Sequence, residues 1–128
     1  LYEKGYVPEK DIGFKANFGN GEALVKLTQM MGLREGIGDL MAEGGYALAS
    51  KYGHPELFMG VKKQGLPAYD PRGVQSMGLS YATANRGACH VRSYGIAVEI
   101  LGVNQKLDPF ASEGKPQVLL IPPDCVYL

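Results

Sequence analysis

Residues 20–53, N-G-E-A-L-V-K-L-T-Q-M-M-G-L-R-E-G-I-G-D-L-M-A-E-G-G-Y-A-L-A-S-K-Y-G, decide the fold class. Ala23, Leu24, Leu27, Met30 and Met31 recur at the spacing of one helical face. Asn20 stands where a side-chain cap is needed, and Glu22 favours the positive end of the helix dipole. A helix is therefore predicted from Glu22 to a stop at Gly32. Arg34 to Gly38 form a short connection. Leu40, Met41, Gly44, Ala47 and Leu48 then mark one face of a second helix, starting near Asp39 and closing at Gly53. Gly44 and Gly45 each cost that helix ~1 kcal/mol relative to alanine, and the expected benefit is close approach of a neighbouring helix.

The flanks are less regular. Residues 1–20 are polar and rich in turn signals such as Asp11-Ile12-Gly13 and Gly19-Asn20-Gly21. His54-Pro55 marks a break, where His54 follows a helix C-terminus and suits the dipole there. Residues 56–67 read as semi-extended, with Leu57, Phe58, Met59 and Val61 as apolar anchors. Asp70-Pro71-Arg72-Gly73 is a turn, followed by a helix from Val74 to about Thr83 that Asn85-Arg86-Gly87 interrupts. The apolar stretch from Cys89 to Leu101 can be helix or strand, and a helix is the expectation. Loops follow Gly102, and the apolar run Gln117–Ile121 is stopped by Pro122-Pro123. The class is mainly α: irregular helices joined by glycine-rich loops.

Bulk properties narrow the function. Thirteen basic and thirteen acidic residues cancel, and the basic ones are scattered, so neither a nucleic acid nor an anionic membrane is expected as a partner. No run of about 18 apolar residues is present to span a membrane. The start, Leu1-Tyr2-Glu3-Lys4, is mixed, charged and without Met, which suggests a piece beginning inside a longer sequence. Cys89 and Cys125 read as cytoplasmic thiols, and two cysteines are too few for a four-cysteine cluster site. Eighteen glycines in 128 residues, embedded in apolar sequence, imply sharp turns and close backbone approaches.

The chemistry concentrates in residues 67–95, P-A-Y-D-P-R-G-V-Q-S-M-G-L-S-Y-A-T-A-N-R-G-A-C-H-V-R-S-Y-G. Tyr69, Asp70 and Arg72 gather at one turn; Asn85, Arg86, His90 and Arg92 gather at another. Arginine forks match phosphate oxygens, and small residues let a ligand approach the backbone, so the two turns together suit an anion cradle. His90 has the pKa range for proton transfer near neutrality, though a lone histidine is as readily a satisfied, half-buried side chain. Asp70 before Pro71 is first a turn-former. Cys89 next to His90 hints at a thiolate pair, but sequence neighbours need not face each other, and a cysteine nucleophile is not the expectation. Met30-Met31 is core material, and Gly36-Ile37-Gly38 lacks the strand-to-helix setting of a dinucleotide site.

The strings A-Y-D-P-R-G and G-L-S-Y-A-T-A-N-R-G-A-C-H-V-R-S-Y resemble the aldehyde ferredoxin oxidoreductase family, as does R-E-G-I-G-D-L-M-A-E-G upstream. The likeness runs in order over residues 1–116. It implies residues 1–66 at the end of the family's first helical domain, 67–116 at the start of the second, and 117–128 as a divergent tail. It implies a tungsten (or molybdenum) bis-pterin and a 4Fe-4S cluster, oxidation of an aldehyde to a carboxylic acid, and ferredoxin as electron acceptor. His90 is then the histidine near the metal, a proton relay or donor to the substrate oxygen. Tyr69 approaches the substrate, and Arg92, assisted by Arg86, contacts pterin. No residue here is expected to ligate metal, because the family's C-x-x-C-x-x-x-C and D-x-x-G-L motifs are missing, and Cys125 lacks the context of a cluster ligand. The chain alone is accordingly expected to bind no cofactor and to be inactive, with apolar surface exposed to self-association. Two other readings remain: a pterin-, phosphate- or partner-binding helical module without catalysis, and a helical domain with no ligand.

Overall fold

A computed structural model of the chain describes residues 1–91, 93, 95–103 and 107–120. The molecule is mainly helical and parts into two compact units, Leu1–Met59 and the segment from Gly60 onward. Among the described residues no helix is long and apolar enough to cross a membrane.

The first unit opens with a 3-10 turn at Tyr2–Lys4 and a single helical turn, α1 (Glu9–Ile12). Helix α2 (Gly21–Leu33) is capped as its sequence requires, the Ala23 amide donating to Asn20 Oδ1 at 3.1 Å. Its end differs from the expectation. Gly32 stays helical, and Arg34 takes the left-handed cap at φ 55°, its guanidinium held by Asp39 at 2.9 Å and Glu43 at 2.6 Å. The Glu35 amide closes the turn onto the Met30 carbonyl at 2.9 Å.

The second predicted helix is two helices, α3 (Ile37–Ala42) and α4 (Gly45–Lys51). Gly44 sits between them at φ 98°, a conformation side chains disfavour, so the glycine pair breaks the helix. Neither glycine receives a neighbouring helix: space around Gly44 is open, and Gly45 faces the Phe58 ring. The close approach falls at Gly38, where a Cβ would lie 2.3 Å from the Met30 carbonyl carbon. That contact lets α3 cross α2 and bury Ile37 with Val7 and Ile12 against Leu27, Met30 and Met41. Gly53, at φ 77°, ends α4 as expected. His54 stacks on Tyr6 with centroids 3.6 Å apart and donates from Nδ1 to Glu56 at 2.9 Å.

Residues 55–65 are not simply extended. Pro55–Leu57 is a 3-10 turn in the first unit. The second unit begins with a hairpin, β1 (Gly60–Val61) and β2 (Gln64–Gly65), paired Gly60↔Gly65 and Val61↔Gln64. Lys62 and Lys63 both take positive φ, the arrangement whose twist suits a two-residue hairpin.

Helix α5 (Gln75–Thr83) forms the spine of the second unit, burying Val74, Met77 and Tyr81 with Ala88. Val74 has no group to cap it. Glu99, at the end of α6 (Gly95–Glu99), supplies the acceptor instead, taking the Ser76 amide at 3.1 Å. The helix expected from Cys89 to Leu101 thus shrinks to five residues. The Cys89 amide turns back to Gly87 at 2.7 Å and its carbonyl takes the Ser80 hydroxyl at 3.0 Å, which satisfies that backbone without a helix. Helix α7 (Lys115–Leu120) takes in most of the apolar run near the end of the chain.

Candidate functional site

Two turns flank α5, and the helix brings them together. The first, Asp70 to Gly73, is closed by amides of Gly73 and Val74 on the Asp70 carbonyl, at 3.0 and 3.1 Å. Asp70 also binds Arg72 as a fork: Nε to both carboxylate oxygens at 3.0 and 3.1 Å, Nη2 to Oδ2 at 2.6 Å, with the Arg72 amide on Oδ1 at 2.9 Å. The Arg72 guanidinium, then its amide, hold the Asp70 carboxyl down at about 2. Arg72 is therefore committed to shaping this turn.

The second turn, Asn85 to Gly87, is pinned from the hairpin. Lys62 Nζ donates to the carbonyls of Ala84 and Asn85 at 3.2 and 2.9 Å, placing a cation at the C-terminus of α5. Gly87 lies so close to the hairpin that a Cβ would stand 2.3 Å from the Val61 carbonyl oxygen, at φ 105°. Arg86 is exposed and donates from Nη2 to the buried Cys89 sulfur at 2.9 Å.

These anchors place Tyr69 against His90, with ring centroids 5.5 Å apart and planes tilted by 56°. Both rings are half-buried. Cys89 faces Arg86 and the core while His90 faces Tyr69, so the adjacent thiol and imidazole point to different partners. Of the residues singled out in the sequence, the structure joins Tyr69 with His90, Asp70 with Arg72, and Arg86 with Cys89. Arg92 and Cys125 lie outside the described residues. Among the described residues no group of three or more His, Cys, Asp or Glu is suited to hold a metal ion.

Residues the motifs did not single out build this wall. Tyr81, 3% exposed, donates its hydroxyl to the Tyr69 carbonyl at 3.0 Å, and Ser80, 2% exposed, holds the Cys89 carbonyl. Burial, followed by the neighbouring Tyr69 and Asp70, raises the Tyr81 pKa and keeps the phenol a donor. The sequence signal was present: polar groups in the middle of an apolar helix need partners. Glu99, a lone carboxylate in an apolar run, carried the same signal and is fully buried against Lys115.

The site is thus a Tyr69–His90 ring contact at the turns that flank α5, set in helical units punctuated by glycine. The family model described as aldehyde ferredoxin oxidoreductase, domains 2 and 3, matches residues 1–127, and the chain belongs to that family. The match continues past residue 116, where the quoted motifs had ended the likeness. The tungsten-containing aldehyde ferredoxin oxidoreductase of Pyrococcus furiosus is 49% identical over 131 residues, covering 100% of this chain and 22% of the relative. Its Pyrococcus horikoshii counterpart is 53% identical over 113 residues, 85% of this chain and 19% of that protein. An aliphatic sulfonate oxidoreductase, WOR-like subunit, of Pyrococcus furiosus is 41% identical over 51 residues, 40% of this chain and 8% of its own length. The chain thus spans about a fifth of the length of the curated relatives it matches most fully.

Proposed function

We propose that residues 67–95 form one wall of the substrate and cofactor pocket of an enzyme that oxidises aldehydes to carboxylic acids and passes the electrons to ferredoxin. The observation that carries this reading is the Tyr69–His90 pair, brought together from two turns on either side of α5. The residues fit one edge of a tungsten (or molybdenum) bis-pterin. An imidazole and a phenol are partly open, and the Arg86 guanidinium is exposed. When bound, the pterin-held metal supplies the two-electron chemistry, with a 4Fe-4S cluster as the onward carrier. His90 holds or moves a proton at the substrate oxygen, Tyr69 orients the substrate beside it, and Arg86 and Arg92 bind anionic groups of the pterin.

The join between the two helical domains falls between residues 66 and 67 in this reading, a few residues after the split between the compact units. The compact units part at Met59/Gly60, and the motif-bearing segment starts at Pro67. Exposed apolar side chains such as Phe18, 97% exposed, and Leu24 and Val25 on α2, are the surface through which the isolated chain self-associates.

A chimaera tests the proposal. The aligned segment of the Pyrococcus furiosus relative is replaced by this chain, then tungsten content and aldehyde-dependent dye reduction are measured. Tungsten is retained and dye is reduced; His90→Ala lowers kcat by about 100-fold or more with tungsten content unchanged. Full turnover in His90→Ala defeats the assignment.

A further inference from the structure

We infer that Tyr81 is a positioning residue: its hydroxyl bond to the Tyr69 carbonyl holds the Tyr69 ring against His90, while the adjacent Ser80 fixes the chain leading into His90. The inference deepens the proposed function and rests on that reading for its catalytic meaning.

The geometry is that of one helix serving two turns. Successive residues on a helix project about 100° apart, so neighbours address different surroundings. Ser80 reaches the Cys89 carbonyl at 3.0 Å, one residue before His90. Tyr81 reaches the Tyr69 carbonyl at 3.0 Å. Both anchoring residues are buried, at 2% and 3% exposure, and the Tyr81 ring is packed in the same core as Val74, Met77 and Ala88. A rigid donor therefore meets an otherwise irregular segment. Pro67 to Pro71 belong to no helix or strand, and among the described residues the Tyr69 carbonyl takes no other hydrogen bond. Packing against the core limits where the Tyr69 ring can lie, but an apolar contact is non-directional, whereas the hydroxyl bond fixes the backbone that carries the ring. On the other side, Gly87 against Val61 and Lys62 on Ala84 and Asn85 leave the His90 turn little room to follow a shift of Tyr69. Ring separation is thus set by the Tyr81 hydroxyl.

The test uses the isotopically labelled 128-residue chain and Tyr81→Phe, read by NMR. The unsubstituted chain gives ring-to-ring cross-peaks between Tyr69 and His90. In Tyr81→Phe those cross-peaks are lost and the Tyr69 carbonyl resonance shifts, while far-UV circular dichroism and the amide resonances of α2 stay in place. Intact ring cross-peaks in Tyr81→Phe overturn the inference. Should that variant not fold, the unsubstituted chain decides: the Tyr81 hydroxyl proton is protected from exchange and shows a cross-peak to the Asp70 amide, and exchange at the rate of a free phenol overturns the inference. The two failures are distinguishable. Unchanged turnover in the His90→Ala chimaera removes the functional reading and leaves the cross-peak result standing, whereas persistent cross-peaks remove Tyr81 and leave the role of His90 standing.

Discussion

Lys115 and Glu99 form a charge pair from which water is excluded, their side chains 3% and 0% exposed. The pair does more than neutralise itself. Glu99 Oε1 accepts the Ser76 amide at the start of α5, and Lys115 Nζ donates to the Asp108 carbonyl at 2.6 Å. One ion pair thereby ties α5, α6 and α7 together.

Breaking such a pair leaves a carboxylate in the interior without its counter-ion, which costs about 3–5 kcal/mol. Lys115→Met is expected to lower stability by ~4 kcal/mol in urea unfolding, whereas Glu99→Met with Lys115→Met recovers more than half of that loss. A double variant as unstable as the single one contradicts the account, because removing the stranded carboxylate would then have recovered nothing.

The Asp70–Arg72 fork gives a pH dependence of defined sign. The folded carboxyl titrates at about 2, below the ordinary aspartate value of 3.8, so its contribution is full above pH 4 and is lost as pH falls from 4 towards 2. The pair is exposed, and salt weakens it. The carboxyl carbon resonance of Asp70 should titrate near 2 in low salt and move up in Arg72→Gln. A midpoint at the ordinary value in the unsubstituted chain rejects the fork.

What the sequence made legible follows from locality. Asn20 as a cap and Gly53 as a stop depend on neighbours within a turn or two, and the structure has both. Of the apolar face predicted from Ala23 to Met31, Ala23 is buried and Leu27 and Met30 pack on the core, whereas Leu24 is exposed. The family motifs and the mainly helical class were equally plain. The misreadings arise where distant contacts decide. Gly44 looked like a packing glycine, but Arg34, held by Asp39 and Glu43, sets the end of α2, and Gly38 makes the close approach. The stretch from Cys89 looked helical because it is apolar, yet only Gly95–Glu99 is a helix, and at Cys89 the backbone bonds go to Ser80 and Gly87. At the candidate site, residue types were readable, but no spacing rule shows that Tyr81 will find the Tyr69 carbonyl.

Tyr52 supplies an alkaline counterpart. Its phenol is pushed up to about 12, first by burial and then by its hydrogen bond to Asp11 at 2.8 Å. A group whose folded pKa is raised stabilises fully below its unfolded value, near 10, and that stability is lost as pH rises from 10 to 12. Phenolate absorbance should therefore show one tyrosine titrating late. Tyr52→Phe should remove that late titration and flatten the stability of the first unit over the same range; an unchanged alkaline profile tells against the Tyr52–Asp11 bond.

Gly38 offers the sharpest steric test. A Cβ there would lie 2.3 Å from the Met30 carbonyl carbon and 2.4 Å from its oxygen, and these are backbone atoms of α2 that cannot swing aside as a side chain can. Gly38 lies within α3, where alanine is otherwise the better helix former by ~1 kcal/mol. Propensity thus predicts that Gly38→Ala stabilises, and packing predicts the reverse. Overpacking of a fixed contact costs ~1–3 kcal/mol, with the upper end expected against backbone, so the net change should be a loss of about 2 kcal/mol. Gly32→Ala is the control: it sits in α2 with nothing within 4 Å of its Cβ position, and there propensity should win. Urea midpoints that move in opposite directions for the two alanines support the α2–α3 crossing, and a stabilised Gly38→Ala excludes it.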